Sequence, residues 1–152
     1  MKIYNQLAYK DHLGFSKTLT IASDGCLCAC LASIAGRTPP DMNKFLKESG
    51  AFIPGTALLT LQRAVQLLGW KWIGKQTTIE PMPKLSPIIK EVDFSVRPGR
   101  NQHFVVRVVE TNGDRYILDP WQGVRRNANY YEAKTGNAGW TRGGFSYRIF
   151  KK

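Results

Sequence analysis

The chain lacks any run of some eighteen apolar residues, so no membrane-spanning helix is expected. It also lacks internal repeats, low-complexity stretches and any composition break that would mark a linker. Its 152 residues are therefore read as a single domain, 1–152, long enough to bury a real core. The N-terminal MKIYNQLAYKDHLGF has no apolar centre and no cleavage pattern of a secretory signal, which implies synthesis in a cytoplasm. Histidine is scarce, with His12 and His103 alone, and the three cysteines, Cys26, Cys28 and Cys30, fall within five positions. An odd, clustered set of thiols is not a disulfide framework. Acidic residues are few as well: 11 against 22 lysines and arginines, a formal net charge of +11.

The basic surplus is uneven. Residues 1–83 hold nine basic and five acidic side chains, and residues 84–152 hold thirteen and six. Such a surface favours polyanions, whether nucleic acid, anionic lipid or an anionic cell wall, and it serves solubility equally well. No nucleic-acid-binding motif and no aromatic-basic stripe accompanies it, so nucleic acid is not the expected partner.

Helices dominate the first half. Cys26–Ala35 is small and apolar, with Ser23 or Asp24 placed to cap its start and Gly36 to end it. Thr38 and Pro39 open a second helix that runs to about Lys47, with Gly50 closing it. Ala57–Leu68 carries leucines and Val65 at helical spacing and stops at Gly69. Strands dominate the second half: Trp70–Ile73, Pro87–Val92 after the loop PMPKLSP, His103–Glu110, Arg115–Asp119 and Phe145–Phe150. The stretch after Asp119 through Gly144 reads as irregular. Helices followed by an antiparallel sheet predict an α+β fold.

The cysteine cluster decides the chemistry. A structural zinc site uses four ligands, commonly in two spaced pairs, and neither histidine supplies a second pair. On a helix, Cys26 and Cys30 share a face while Cys28 points roughly 200° away. A redox dithiol needs two residues between its cysteines, a spacing absent here. No metal and no cofactor is expected. Cys28 and Cys30, within a run of Leu and Ala, read as packing residues. Cys26 differs: it follows Gly25 at the first turn of its helix, where unpaired N–H groups and the helix dipole stabilise a thiolate.

A nucleophilic cysteine needs a base and an orienting group. His103 heads the most apolar strand and Asp119 ends the next; each alone has an ordinary reading, as a core histidine and a turn aspartate. Their meeting depends on register. A two-residue turn at Asn112-Gly113 puts His103 on the opposite face from Asp119. A three-residue loop, Thr111–Gly113 with a left-handed Gly113, pairs Val105 with Asp119 and makes His103 and Asp119 diagonal neighbours.

The order Gln6, Leu13-Gly14, Thr20-Ile21, Gly25-Cys26, then TPPDMNKFLKESGAF, HFVV (103–106) and DPWQG (119–123), resembles papain-like cysteine peptidases of the bacteriocin-leader-processing type. It is most similar to their short relatives in bacteriophage tail proteins, endolysins and bacterial cell-wall proteins. The resemblance spans Gln6 to about Gly123. It implies a papain-like fold with N-terminal helices packed on the sheet. It further implies Cys26 as nucleophile, His103 as general base, Asp119 as its orienter, and Gln6 with the Cys26 N–H as oxyanion donors. The ordinary alternative for Gln6 is an exposed surface side chain. His12 has no role in this scheme and is expected at the surface; Trp121 either walls the cleft or packs under its loop.

The activity so implied is peptide-bond hydrolysis, with bacterial cell-wall (peptidoglycan) peptide as the substrate, in a phage particle or lytic system. Other virion or tail proteins are then natural partners. A protein or leader-peptide substrate is the enzymatic rival, and a non-catalytic structural or binding module of a virion tail is the rival of another class. The chain departs from the family where Leu27, Cys28 and Ala29 replace the threonine or serine that often follows the nucleophile.

Overall fold

Side chains that satisfy exposed backbone N–H groups set the first helices of the chain. The computed structural model describes residues 1–76, 85–93, 102–131 and 146–152. The PMPK part of the proline-rich loop, Phe145 and most of the stretch expected to be irregular before it lie outside the described residues. The chain divides into two compact units: Met1–Trp72 with Pro120–Val124 and Lys152, and Ile73–Asp119 with Arg125–Lys151.

In the first unit, Asn5 accepts from the Leu7 N–H and opens a 3-10 turn, Gln6–Ala8. Thr20 and Ser23 form a reciprocal capping box that starts a one-turn helix, α1 (Ile21–Asp24). This corrects the expected cap of the next helix: Ser23 serves α1, and α2 (Cys26–Ala35) begins at Gly25 without any side-chain cap. Gly36, at φ 69°, ends α2 in the left-handed region. Thr38 accepts from the Asp41 N–H at 3.3 Å and opens α3 (Pro39–Glu48), with Pro39 at the position where a missing N–H costs nothing.

The fourth helix, α4 (Leu61–Leu67), is shorter than expected, because residues 58–60 pair with residues 51–53 instead. Phe52 and Leu59 form an antiparallel bridge, and the Thr60 N–H donates to the Ala51 carbonyl at 2.9 Å. The helices enclose Ile21, Leu31, Ile34, Met42, Leu46, Phe52 and Val65, all buried.

Three parts of the sequence pattern meet here. Asn43 of α3 accepts from the Gly14 N–H at 2.9 Å and donates to the His12 carbonyl at 2.8 Å. Gly14 has φ +55°, and a Cβ there would stand 2.6 Å from the Phe52 ring. Leu13-Gly14, the asparagine of the helix and the aromatic after Gly50 thus form one structural knot.

The remaining elements are strands: β1 (Lys71–Gln76), β2 (Ile88–Asp93), β3 (Gln102–Val109), β4 (Arg115–Asp119), β5 (Val124–Asn127) and β6 (Ser146–Lys151). They form one sheet in the order β1-β6-β2-β3-β4-β5, with β2–β3, β2–β6 and β3–β4 antiparallel. The α+β class is as expected. β5 was not expected: it rises from a stretch read as irregular, after a turn in which Gln122 and Gly123 both take positive φ.

In the second unit, Ile88, Val92, Val105, Ile117, Tyr131, Tyr147 and Ile149 form a buried apolar cluster. The β3–β4 hairpin pairs Val106 with Leu118 and Val109 with Arg115, and the Glu110 N–H donates to the Asp114 carbonyl at 2.8 Å. That register leaves a three-residue loop, Thr111–Gly113, with Gly113 at φ 91°. Continued along the strands, it sets Val105 opposite Asp119. No helix among the described residues is long and apolar enough to cross a membrane.

Candidate active site

The odd-length loop brings His103 and Asp119 to the same face of the hairpin, and they meet there. His103 Nε2 lies 2.8 Å from Asp119 Oδ1, with the histidine 4% exposed and the aspartate fully buried. An ionised carboxylate only accepts hydrogen bonds, so Nε2 carries the proton and Nδ1 is the basic nitrogen of the neutral ring. Three donors converge on Asp119: His103 at Oδ1, and Tyr131 Oη and Arg126 Nε at Oδ2, the last at 2.8 Å. Burial pushes the Asp119 pKa up, but the His103 hydrogen bond and charge, with the Tyr131 and Arg126 bonds, carry it below the usual carboxylate value. The carboxylate therefore stays ionised in a dry setting.

The phenol behaves in the opposite sense. Burial first, then the Asp119 charge and the hydrogen bond to it, push the Tyr131 pKa up, which keeps its proton on oxygen. The Tyr131 ring also packs beside the imidazole, with centroids 5.9 Å apart.

In the first unit, Cys26 is the first residue of α2 and is partly exposed. Its N–H therefore has no acceptor within its own helix. The break that creates this start depends on Gly25. A Cβ there would fall 2.6 Å from both Cα and O of Ile21, while the Gly25 N–H donates to that carbonyl at 2.8 Å. Only a residue without a side chain turns the chain so tightly against α1.

Gln6 is buried rather than exposed, at 2%. Its Nε2 donates to the carbonyls of Ile21 at 3.4 Å and Ala22 at 3.3 Å. In an unbroken helix the Ala22 carbonyl would accept from the Cys26 N–H. Gln6 thus sits at the α1–α2 junction, and its amide takes a share of the carbonyls that α1 presents there. The Gln6 N–H donates to the Pro120 carbonyl at 2.9 Å, and Gly123 packs so closely on Asn5 that a Cβ would lie 2.9 Å from its nitrogen. The DPWQG segment therefore holds the Gln6 turn.

Cys28 and Cys30 are buried at 1% each, as packing residues are. Burial, with a smaller contribution from neighbouring Cys26, pushes the Cys28 thiol up to about 12, and its Sγ lies 3.7 Å from the Pro39 carbonyl. His12 is exposed, and Trp121 is half-buried. No group of three or more His, Cys, Asp or Glu side chains among the described residues is placed to hold a metal ion.

Four of the residues singled out by sequence thus form two local arrangements, Gln6 with the Cys26 helix start in the first unit and His103 with Asp119 in the second. Sequence reading missed Tyr131 and Arg126. Their signal was faint: VRRN alternates Val124 and Arg126 on one side of a short strand. Compared with known proteins, the chain matches no protein-family model and no curated protein sequence.

Proposed function

We propose that the chain is a papain-like cysteine peptidase that hydrolyses peptide bonds of bacterial cell-wall peptide in a phage or lytic setting. The observation that carries the reading is the buried His103–Asp119 pair at 2.8 Å, formed by the three-residue loop that the chemistry requires. A histidine oriented by a dry, ionised carboxylate is a general base looking for a nucleophile, and Cys26 at a fresh helix start is the candidate nucleophile.

In this mechanism His103 Nδ1 takes the proton of Cys26 Sγ, and Asp119 holds the tautomer and stabilises the imidazolium. The thiolate attacks the amide carbonyl, and the Cys26 N–H donates to the developing oxyanion. Gln6 Nε2 is the second donor. Its bonds of 3.4 and 3.3 Å to the carbonyls of Ile21 and Ala22 are long, so one hydrogen is readily redirected. The imidazolium then protonates the leaving amine, and water, deprotonated by His103, releases the acyl group from sulfur. The basic surface, +11 overall, suits an anionic cell envelope.

The test compares wild type with Cys26→Ala on purified peptidoglycan, following newly released amino groups. Release by wild type alone supports the reading. Equal release rejects it for this substrate, and the same pair is then run on denatured protein to test the protein-substrate rival. Inactivity of both proteins on both substrates favours a non-catalytic module.

A further inference from the structure

We infer that Tyr131 and Arg126 are positioning residues that set the basicity of His103 by engaging the far oxygen of Asp119. A histidine bonded to an undisturbed carboxylate is held strongly in its cationic form. Here the carboxylate is shared. Oδ1 faces His103 Nε2, while Oδ2 accepts from both Arg126 Nε and the Tyr131 hydroxyl. The arginine brings a full positive charge to the side of the carboxylate away from the imidazole. It offsets part of the attraction that Asp119 exerts on the imidazolium, so His103 gives up its proton more readily. Tyr131 acts in the same sense and more weakly, because a neutral donor withdraws less charge.

The geometry fixes these roles. Arg126 cannot swing away freely: its guanidinium lies 4.2 Å over the Tyr130 ring, and Tyr130 meets Tyr131 edge-on with centroids 5.0 Å apart. The two tyrosines and the arginine form one cradle at Asp119, from β5 and from the helical residues Tyr130 and Tyr131 after it. On the same face, β2 carries Lys90 opposite Val105 and β3 carries Arg107 opposite Ile117; both are buried, and Lys90 Nζ lies 5.7 Å over the Tyr147 ring. Across the sheet, β2 sets Val92 opposite His103 and Glu91 opposite Phe104, and Glu91 is engaged by Gln102 at 2.7 Å and by Arg148. On β4, Tyr116 donates to Glu110 near the hairpin turn. Lys90 and Arg107 are untouched by the substitutions below, whereas Arg126 and Tyr131 bond Asp119 Oδ2 directly. This role concerns proton affinity, and only its consequence for turnover rests on the peptidase reading.

The chain has two histidines, so a long-range proton–nitrogen NMR titration of the full-length protein resolves both imidazoles. His12→Asn identifies His103, and exposed His12 is the internal reference. Arg126→Gln should raise the His103 midpoint by about one pH unit, and Tyr131→Phe, which keeps the ring, by about half a unit. Arg126→Lys, which keeps the charge, should stay close to wild type, and His12 should not move. Arg126 lines an open surface groove, and its side chain is 18% exposed. Unchanged or lowered His103 midpoints in Arg126→Gln and Tyr131→Phe would overturn the inference, as would Arg126→Lys behaving like Arg126→Gln. Failure of amine release would reject the peptidase reading and leave these midpoints to be judged alone.

Discussion

The junction at Cys26 and the pocket at Asp119 are built by different means. At the junction, backbone does the work: a glycine that tolerates no Cβ, a helix restarted one residue after the last, and a glutamine amide on two carbonyls of α1. At Asp119, side chains do it: one carboxylate, fully buried, is held by three donors from three parts of the second unit. The lesson is that the first arrangement fails by steric displacement and the second by electrostatic imbalance. Substitutions should separate these modes.

The largest effect is expected at the carboxylate. Asp119→Ala leaves a histidine, a phenol and an arginine without their shared acceptor and should cost about 3–5 kcal/mol in denaturant unfolding. Next comes the backbone junction. Gly25 has an ordinary φ of −89°, so Gly25→Ala carries only the clash with Ile21, about 1–3 kcal/mol in the same measurement. If Gly25→Ala were neutral, the steric half of the comparison would be lost.

The pH dependence sharpens the electrostatic half. Asp119 has a folded pKa below the ordinary 3.8, so its contribution to stability is complete above that value. The contribution is lost as pH falls through the lowered folded value. Asp119→Asn should therefore flatten the acid limb of the stability–pH curve below about pH 4. Smallest in stability is Cys26→Ala, expected within about 0.5 kcal/mol of wild type because the side chain is partly exposed.

Much of this was legible in the sequence where local chemistry and packing agree. Cys26–Ala35 and Arg115–Asp119 fall at their expected bounds, because a small apolar run ending in glycine and a short β-rich run ending before proline admit few alternatives. Loop parity left the meeting of His103 and Asp119 open between two registers, and the structure has the odd-length loop that brings them together. Other features were hidden where two patterns coincide. The leucines of residues 57–60 fit a helix face, yet Phe52 recruits Leu59 into a bridge that no local signal announces. β5 is four residues long with two arginines, a weak strand signal that owes its place to pairing beside β4. Arg126 and Tyr131 stayed hidden because a carboxylate's second oxygen can be met from anywhere in the fold. Gln6 was legible by resemblance, but its burial against α1 was not.

We propose that Cys26 and His103 act as one chemical unit. The most direct measurement is the rate of alkylation of Cys26 by a limiting dose of iodoacetamide at neutral pH, with modified residues located by peptide mass analysis. In wild type, Cys26 should react well ahead of buried Cys28 and Cys30, and His103→Gln should slow that reaction by about tenfold or more. Equal rates in the two proteins, or equal labelling of all three cysteines, would contradict the account.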